Sequence, residues 1–132
     1  MNKVFKVGLI GCGHIAETYF RGHQYFNNFK IVACADINPK AAEKCAKLYN
    51  IKHTTVNEIL KDQNIEVILN LTIPQSHYSV SKRVLNAGKH VYSEKPLATY
   101  FEKGKELVSL AKKKKLYIGN APDTFLAVSY TH

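Results

Sequence analysis

Two short stretches of this sequence, and one carboxylate between them, bring together residue types that do chemistry. Gly11-Cys12-Gly13-His14-Ile15-Ala16 follows the spacing G-x-G-x-x-G/A, and Asp36 stands 23 residues after Gly13. Ser93-Glu94-Lys95-Pro96-Leu97-Ala98 sets an acid and a lysine side by side ahead of a proline. Gly11 permits a tight turn and Gly13 has no Cβ to obstruct a phosphate, so backbone N–H groups can approach an anion closely. His14 and Ile15 open a helix whose positive dipole end would face that anion, and Ala16 lets the helix lie close to the layer beneath. This is the chemistry of a pyrophosphate cradle. A carboxylate such as Asp36, arriving next in the chain, accepts two hydrogen bonds from an adenosine ribose and repels a 2′-phosphate. The combination predicts a dinucleotide site with NAD preferred. Lys40, in reach of a phosphate from the following helix, keeps NADP possible.

Those groups meet only if the chain places them at one edge of a common layer. Val4 to Ile10 is nearly continuous apolar, as in a strand buried on both faces, and runs straight into Gly11. Ile15, Ala16, Tyr19, Phe20 and His23 then share one helical stripe. A second buried strand, Lys30 to Asp36, ends on the carboxylate. Asn38 is a good N-cap with Pro39 at the first helical position, and Ala42, Cys45, Ala46 and Tyr49 carry that helix to about Asn50. A short third strand is predicted near His53 to Thr55, with Thr55-Val56-Asn57-Glu58 as a capping box for a brief helix. Ile65 to Leu71 is strand four. After Pro74, the residues His77, Val80, Ser81, Val84 and Leu85 form one helical face, and Gly88 stops it. Lys89 to Ser93 reads as strand five, Tyr100 to about Lys115 as a long helix, and Leu116 to Gly119 as strand six.

Strand–helix alternation of this kind predicts an α/β fold, a Rossmann-type doubly wound, six-stranded parallel sheet with helices on both faces. Ligands in such sheets sit beyond the strand C-termini where strand order reverses, between strands one and four. Thr72, Ile73, Pro74 and His77 should line that crevice. His77 has two readings, a ligand contact or a core histidine continuing the apolar stripe of Val80, Ser81 and Val84. Glu94 and Lys95 likewise read either as a surface pair before a proline turn or as groups held over the cofactor. In the second reading the ammonium polarises a carbonyl or donates to a developing alkoxide.

Taken together, Gly11-Cys12-Gly13-His14-Ile15-Ala16, Asp36, Thr72-Ile73-Pro74 with His77, and Glu94-Lys95-Pro96-Leu97-Ala98 resemble the glucose–fructose oxidoreductase, inositol dehydrogenase and MocA family (Gfo/Idh/MocA) over about residues 3 to 126. Ala121 to Leu126 also resembles a stretch that follows strand six in one branch. The resemblance implies an NAD(P)-dependent oxidoreductase acting on a secondary alcohol of a sugar or cyclitol. It implies Lys95 as the catalytic lysine, Glu94 as a support for the cofactor ribose, and a cis Lys95–Pro96 peptide. Thr72, Pro74 and His77 would border the nicotinamide half, with Asn120 on the same wall. Family members continue into a substrate domain carrying further proton-transfer groups. Residues 1–120 are thus expected to be the cofactor domain, and 121–132 the start of a connection to an absent substrate domain or an altered tail. A chain with Lys95 alone is expected to bind dinucleotide weakly and turn over poorly, if at all.

Composition sets the outer limits. With 132 residues, 45% hydrophobic and 22% charged, the chain holds one domain with a core, and disorder and fibrous classes fall away. Nineteen Lys and Arg against ten Asp and Glu give a formal charge of +9. Lys112 to Lys115 carry part of it at a helix end, where cations complement the dipole, and no aromatic-interleaved basic platform suggests nucleic acid. The cysteines Cys12, Cys34 and Cys45 show no CxxC pair and no metal-ligand spacing, so no metal site and a reducing, cytoplasmic home are expected. No apolar run approaches a membrane span. A homo-oligomer is possible, since the last strand and helix would be uncovered. Two rivals stay open, an S-adenosylmethionine-binding methyltransferase-like domain and a non-catalytic NAD-binding fragment.

Overall fold

The computed structural model describes residues 3–122. Six strands and five helices alternate along it. They run as β1 (Phe5–Ile10), α1 (His14–His23), β2 (Phe29–Ala35), α2 (Pro39–Tyr49), β3 (Lys52–His53) and α3 (Val56–Lys61). The second half continues with β4 (Val67–Asn70), α4 (Pro74–Asn86), β5 (His90–Ser93), α5 (Phe101–Lys114) and β6 (Ile118–Asn120). All pairings are parallel, in the order β3-β2-β1-β4-β5-β6. The order reverses between β1 and β4, which places the crevice where the sheet logic predicts it. Residues 123–132 lie outside the described residues, and with them most of the expected connection.

Period-two alternation sends side chains to two separate cores. Val7, Leu9, Ile31 and Leu69 pack beneath α1 and α2 with Phe20 and Ala46. Ile10, Ala33, Ala35 and Ile68 pack beneath α3, α4 and α5 with Val84, Leu85 and Leu107. β2 breaks strict alternation. Its register against β1 shifts between Val7–Ile31 and Gly8–Ala33, a bulge that inserts one residue. Cys34 thereby joins Ile31 on the α1/α2 side instead of facing the opposite layer. The α1/α2 layer covers the β1–β2 half of its face. Beside it a cavity of about 540 Å3 opens between Tyr19 and the apolar side chains Val67, Leu69 and Tyr92 of β4 and β5.

Helix starts follow their caps. Asn38 accepts a hydrogen bond from the Lys40 N–H at 3.0 Å, and Thr55 accepts from the Glu58 N–H at 3.2 Å. Differences from expectation fall at strand ends. The Leu116 N–H closes the last turn of α5 on the Ala111 carbonyl, so β6 begins two residues later than the apolar run suggests. β3 is shortened to two residues because Thr55 is committed to capping α3. Among the described residues no helix is long and apolar enough to cross a membrane.

Candidate functional site

β1 delivers the chain to the switch point at Gly11, which adopts φ +103°. A Cβ there would stand 2.5 Å from the Leu71 carbonyl carbon and oxygen and 2.8 Å from the Thr72 nitrogen. Only glycine lets the loop after β1 cross the chain leaving β4 this closely. The Gly11 N–H donates to the Ala35 carbonyl at 2.9 Å, tying the loop to the end of β2. Gly13 differs in kind. Its φ is −82°, within reach of any residue, and nothing lies within 4 Å of where a Cβ would point. It is the N-cap of α1, which has no side-chain cap, and His14 and Ile15 are exposed in the first turn. The Ala16 N–H closes on the Gly13 carbonyl at 3.1 Å, and the N–H groups of His14 and Ile15 stand at the positive helix end.

Asp36 does more than end a strand. Its Oδ2 accepts from the Cys12 N–H at 2.7 Å and its Oδ1 from the Asn38 N–H at 2.8 Å. The carboxylate thus holds the glycine loop in register with the entry to α2. Each oxygen keeps a further lone pair for another donor.

The other half of the crevice is built on Asn70, fully buried at the end of β4. Its amide nitrogen donates to the His77 carbonyl at 3.0 Å and to Ser81 Oγ at 2.9 Å, and its oxygen accepts from Thr72 Oγ1 at 2.7 Å. This network fixes Thr72 and the first turns of α4, which Ile73 and Pro74 open on the exposed side. His77 sits where the core-histidine reading puts it. The ring is 1% exposed, as a core histidine would be, yet it bridges the two loops of the crevice. Nδ1 lies 2.6 Å from the Pro96 carbonyl oxygen and Nε2 2.6 Å from the Thr72 carbonyl oxygen. Both ring nitrogens are thus engaged by backbone carbonyls.

Glu94 leaves the end of β5 partly buried. Its Oε1 accepts from the Tyr19 hydroxyl of α1 at 2.9 Å and its Oε2 from the Lys95 N–H at 3.1 Å. Burial, then the bond to Glu94, pushes the Tyr19 phenol above its ordinary range. Asn120, at the end of β6, donates to the Ser93 and Glu94 carbonyls at 3.0 and 3.2 Å, bracing the same turn. Lys95 is exposed, its peptide to Pro96 is cis, and its ammonium makes no hydrogen bond or ion pair among the described residues. Gly11, Gly13 and Asp36 are therefore gathered at one half of the switch point, and Thr72, His77, Glu94 and Asn120 at the other.

Sequence reasoning missed Tyr19, Asn70 and Ser81. A polar residue closing an apolar strand was the signal for Asn70. The stripe that placed Tyr19 in the core concealed its hydroxyl.

A family model described as an oxidoreductase family with an NAD-binding Rossmann fold (Gfo/Idh/MocA) matches residues 5–121. The chain belongs to the Gfo/Idh/MocA oxidoreductase family. An uncharacterized oxidoreductase of Schizosaccharomyces pombe is 38% identical over 95 residues, covering 70% of this chain and 26% of that protein. An inositol 2-dehydrogenase/D-chiro-inositol 3-dehydrogenase of Lactiplantibacillus plantarum is 30% identical over 114 residues, covering 83% and 33%. Among solved structures, a dehydrogenase (MviM) from Clostridium difficile superposes with a TM-score of 0.81 at 31% identity, covering 89% of this chain and 39% of that one. The chain thus spans roughly a quarter to two-fifths of these relatives. Membership in this family sets aside the methyltransferase-like reading.

Proposed function

We propose that these residues hold NAD and present a lysine for hydride transfer between its nicotinamide and a secondary alcohol of a sugar or cyclitol. The observation that carries the reading is the open space over Gly13 at the uncapped start of α1, with Asp36 bonded to the same loop. That cradle fits a pyrophosphate, and the spare lone pairs of Asp36 fit vicinal ribose hydroxyls. Gly11, Gly13, His14, Ile15 and Asp36 would hold the adenosine half, and Thr72, Ile73, Pro74, His77, Glu94 and Asn120 the nicotinamide half. Bound there, the dinucleotide supplies the hydride acceptor or donor.

The chain's own residues then orient and move a proton. His77 and Asn120 fix the turn that carries Lys95, and Tyr19 holds the Glu94 carboxylate beside it. The Lys95 ammonium, unpaired among the described residues, would donate to a substrate oxygen as it gains negative charge, and in the reverse direction the neutral amine would take that proton back. The cyclitol or sugar class is supported by the inositol dehydrogenase relative, and the preference for NAD by the negative charge of Asp36.

Calorimetric titration with NAD and NADP tests the reading. NAD should bind more tightly than NADP, and Asp36→Ala should lose that preference. No heat with either dinucleotide on folded protein would overturn it. Lys95→Ala should bind NAD as the parent does, since the lysine acts on substrate. Lys95 supplies one proton-transfer group, so weak or no turnover by this chain with polyols is expected. Robust turnover would show that the described residues already suffice.

A further inference from the structure

The dinucleotide reading makes no use of sulfur, yet the fold gathers all three cysteines at one point. The sulfurs of Cys12, Cys34 and Cys45 lie within 4.8 Å of one another. They arrive from three elements: the glycine loop, β2 and α2. The β2 bulge is what turns Cys34 to this side. Cys34 is fully buried and Cys45 is 6% exposed, while Cys12 and Cys45 both reach the wall of a cavity of about 360 Å3 between α1 and α2. The cluster is enclosed and has an entry path.

We propose that Cys12, Cys34 and Cys45 form a three-thiolate site for one soft, three-coordinate cation of the monovalent-copper type. At metal–sulfur distances of about 2.3 Å, trigonal ligands sit roughly 4 Å apart, so this cluster closes around an ion by less than about 1 Å of sulfur movement. The ligand set is all thiolate, which selects soft ions. It is also three rather than four. No other histidine, cysteine, aspartate or glutamate among the described residues joins it. Zinc, which favours four ligands, would need a water from the cavity to complete its shell.

The thiols are poised for it. Cys12 Sγ lies 3.6 Å from the Ala35 carbonyl oxygen and Cys34 Sγ 3.5 Å from that of Ala42, weak bonds that a metal displaces. Each cysteine that ligates gives its proton to solvent, so binding releases up to three protons and strengthens as pH rises. Three thiolates around one monovalent cation leave two net negative charges directly behind the glycine loop. The loaded site should therefore weaken pyrophosphate binding, a coupling that rests on the cofactor reading where copper binding itself does not.

The reduced 132-residue chain is titrated anaerobically with copper(I) against a coloured copper(I) chelator. The sulfur shell is then read by X-ray absorption. The expected result is one copper per chain with three sulfur ligands, and at least about a tenfold loss of affinity in Cys45→Ala and in Cys12→Ala. Both variants avoid the fully buried Cys34, and circular dichroism checks that they fold. Equal copper affinity in the parent and the two folded variants, or a shell with fewer than three sulfurs, overturns the proposal. NAD titration of the copper-free chain separates the two readings: absent NAD binding removes the cofactor site alone, and absent copper binding removes this site alone.

Discussion

Replacing each glycine of the loop by alanine should separate folding from cofactor binding. At Gly11 the backbone sits at φ +103°, a conformation that costs a residue with a Cβ of order 1–3 kcal/mol. The added methyl would also stand 2.5 Å from the Leu71 backbone, which cannot swing aside as a side chain would. Gly11→Ala should therefore destabilise the chain by about 3 kcal/mol or more. At Gly13 the φ of −82° is ordinary and no atom lies within 4 Å of the new methyl. Alanine is a poorer N-cap than glycine by roughly 0.5–1 kcal/mol, offset by about 0.4–1 kcal/mol of entropy removed from the unfolded chain. Gly13→Ala should melt in urea within about 0.5 kcal/mol of the parent. On the proposed cofactor reading the same methyl stands where the pyrophosphate would lie, so NAD affinity by calorimetry should fall at least about tenfold, or ~1.4 kcal/mol. If Gly13→Ala unfolds as readily as Gly11→Ala, the loop is not open where the structure places it. If it binds NAD as the parent does, the pyrophosphate lies elsewhere.

Removing the His77 imidazole strands two carbonyl acceptors, so His77→Phe should cost about 2–4 kcal/mol in urea unfolding; a change under about 0.5 kcal/mol would mean that the two 2.6 Å contacts carry no weight. The raised Tyr19 phenol pKa predicts a pH effect of definite sign. Its stabilising share is complete below the ordinary tyrosine value of 10.0 and fades as pH climbs from there toward the higher folded-state value, because the unfolded chain ionises first. Tyr19→Phe should flatten the loss of stability above pH 10, and an unchanged alkaline limb would contradict the assignment. Asp36→Asn keeps a carbonyl oxygen for one loop N–H but drops the charge, so the ratio of NADP to NAD affinity should rise; a constant ratio would mean that the carboxylate does not face the 2′ position.

The strand–helix order, the switch point and most helix starts were legible because each is set locally. Asn38 and Thr55 cap within four residues of their own position, and a buried parallel strand is apolar throughout. What stayed hidden was set by partners distant in sequence. Tyr19 meets Glu94 across 75 positions, and Asp36 reaches back 24 to Cys12. Cys34 was unreadable for a sharper reason. Alternation along β2 assigns it to the face opposite Ile31, and only the bulge, a property of pairing with β1, reverses that. The stripe placed His77 on the apolar face, but its bridge between the Thr72 and Pro96 carbonyls depends on a partner 19 positions away.

The bridge made by His77 has a mechanical side. The rim that carries Thr72 and the rim that carries Lys95 are tied by this ring and again through Asn70, which accepts from Thr72 Oγ1 and from the Glu94 N–H, and together these bonds act as a strut. A load placed on either rim is transmitted to the other. Anyone transplanting one of these rims from a relative to alter its selectivity would cut that strut at one end. The two rims should therefore be exchanged together, with His77 and Asn70.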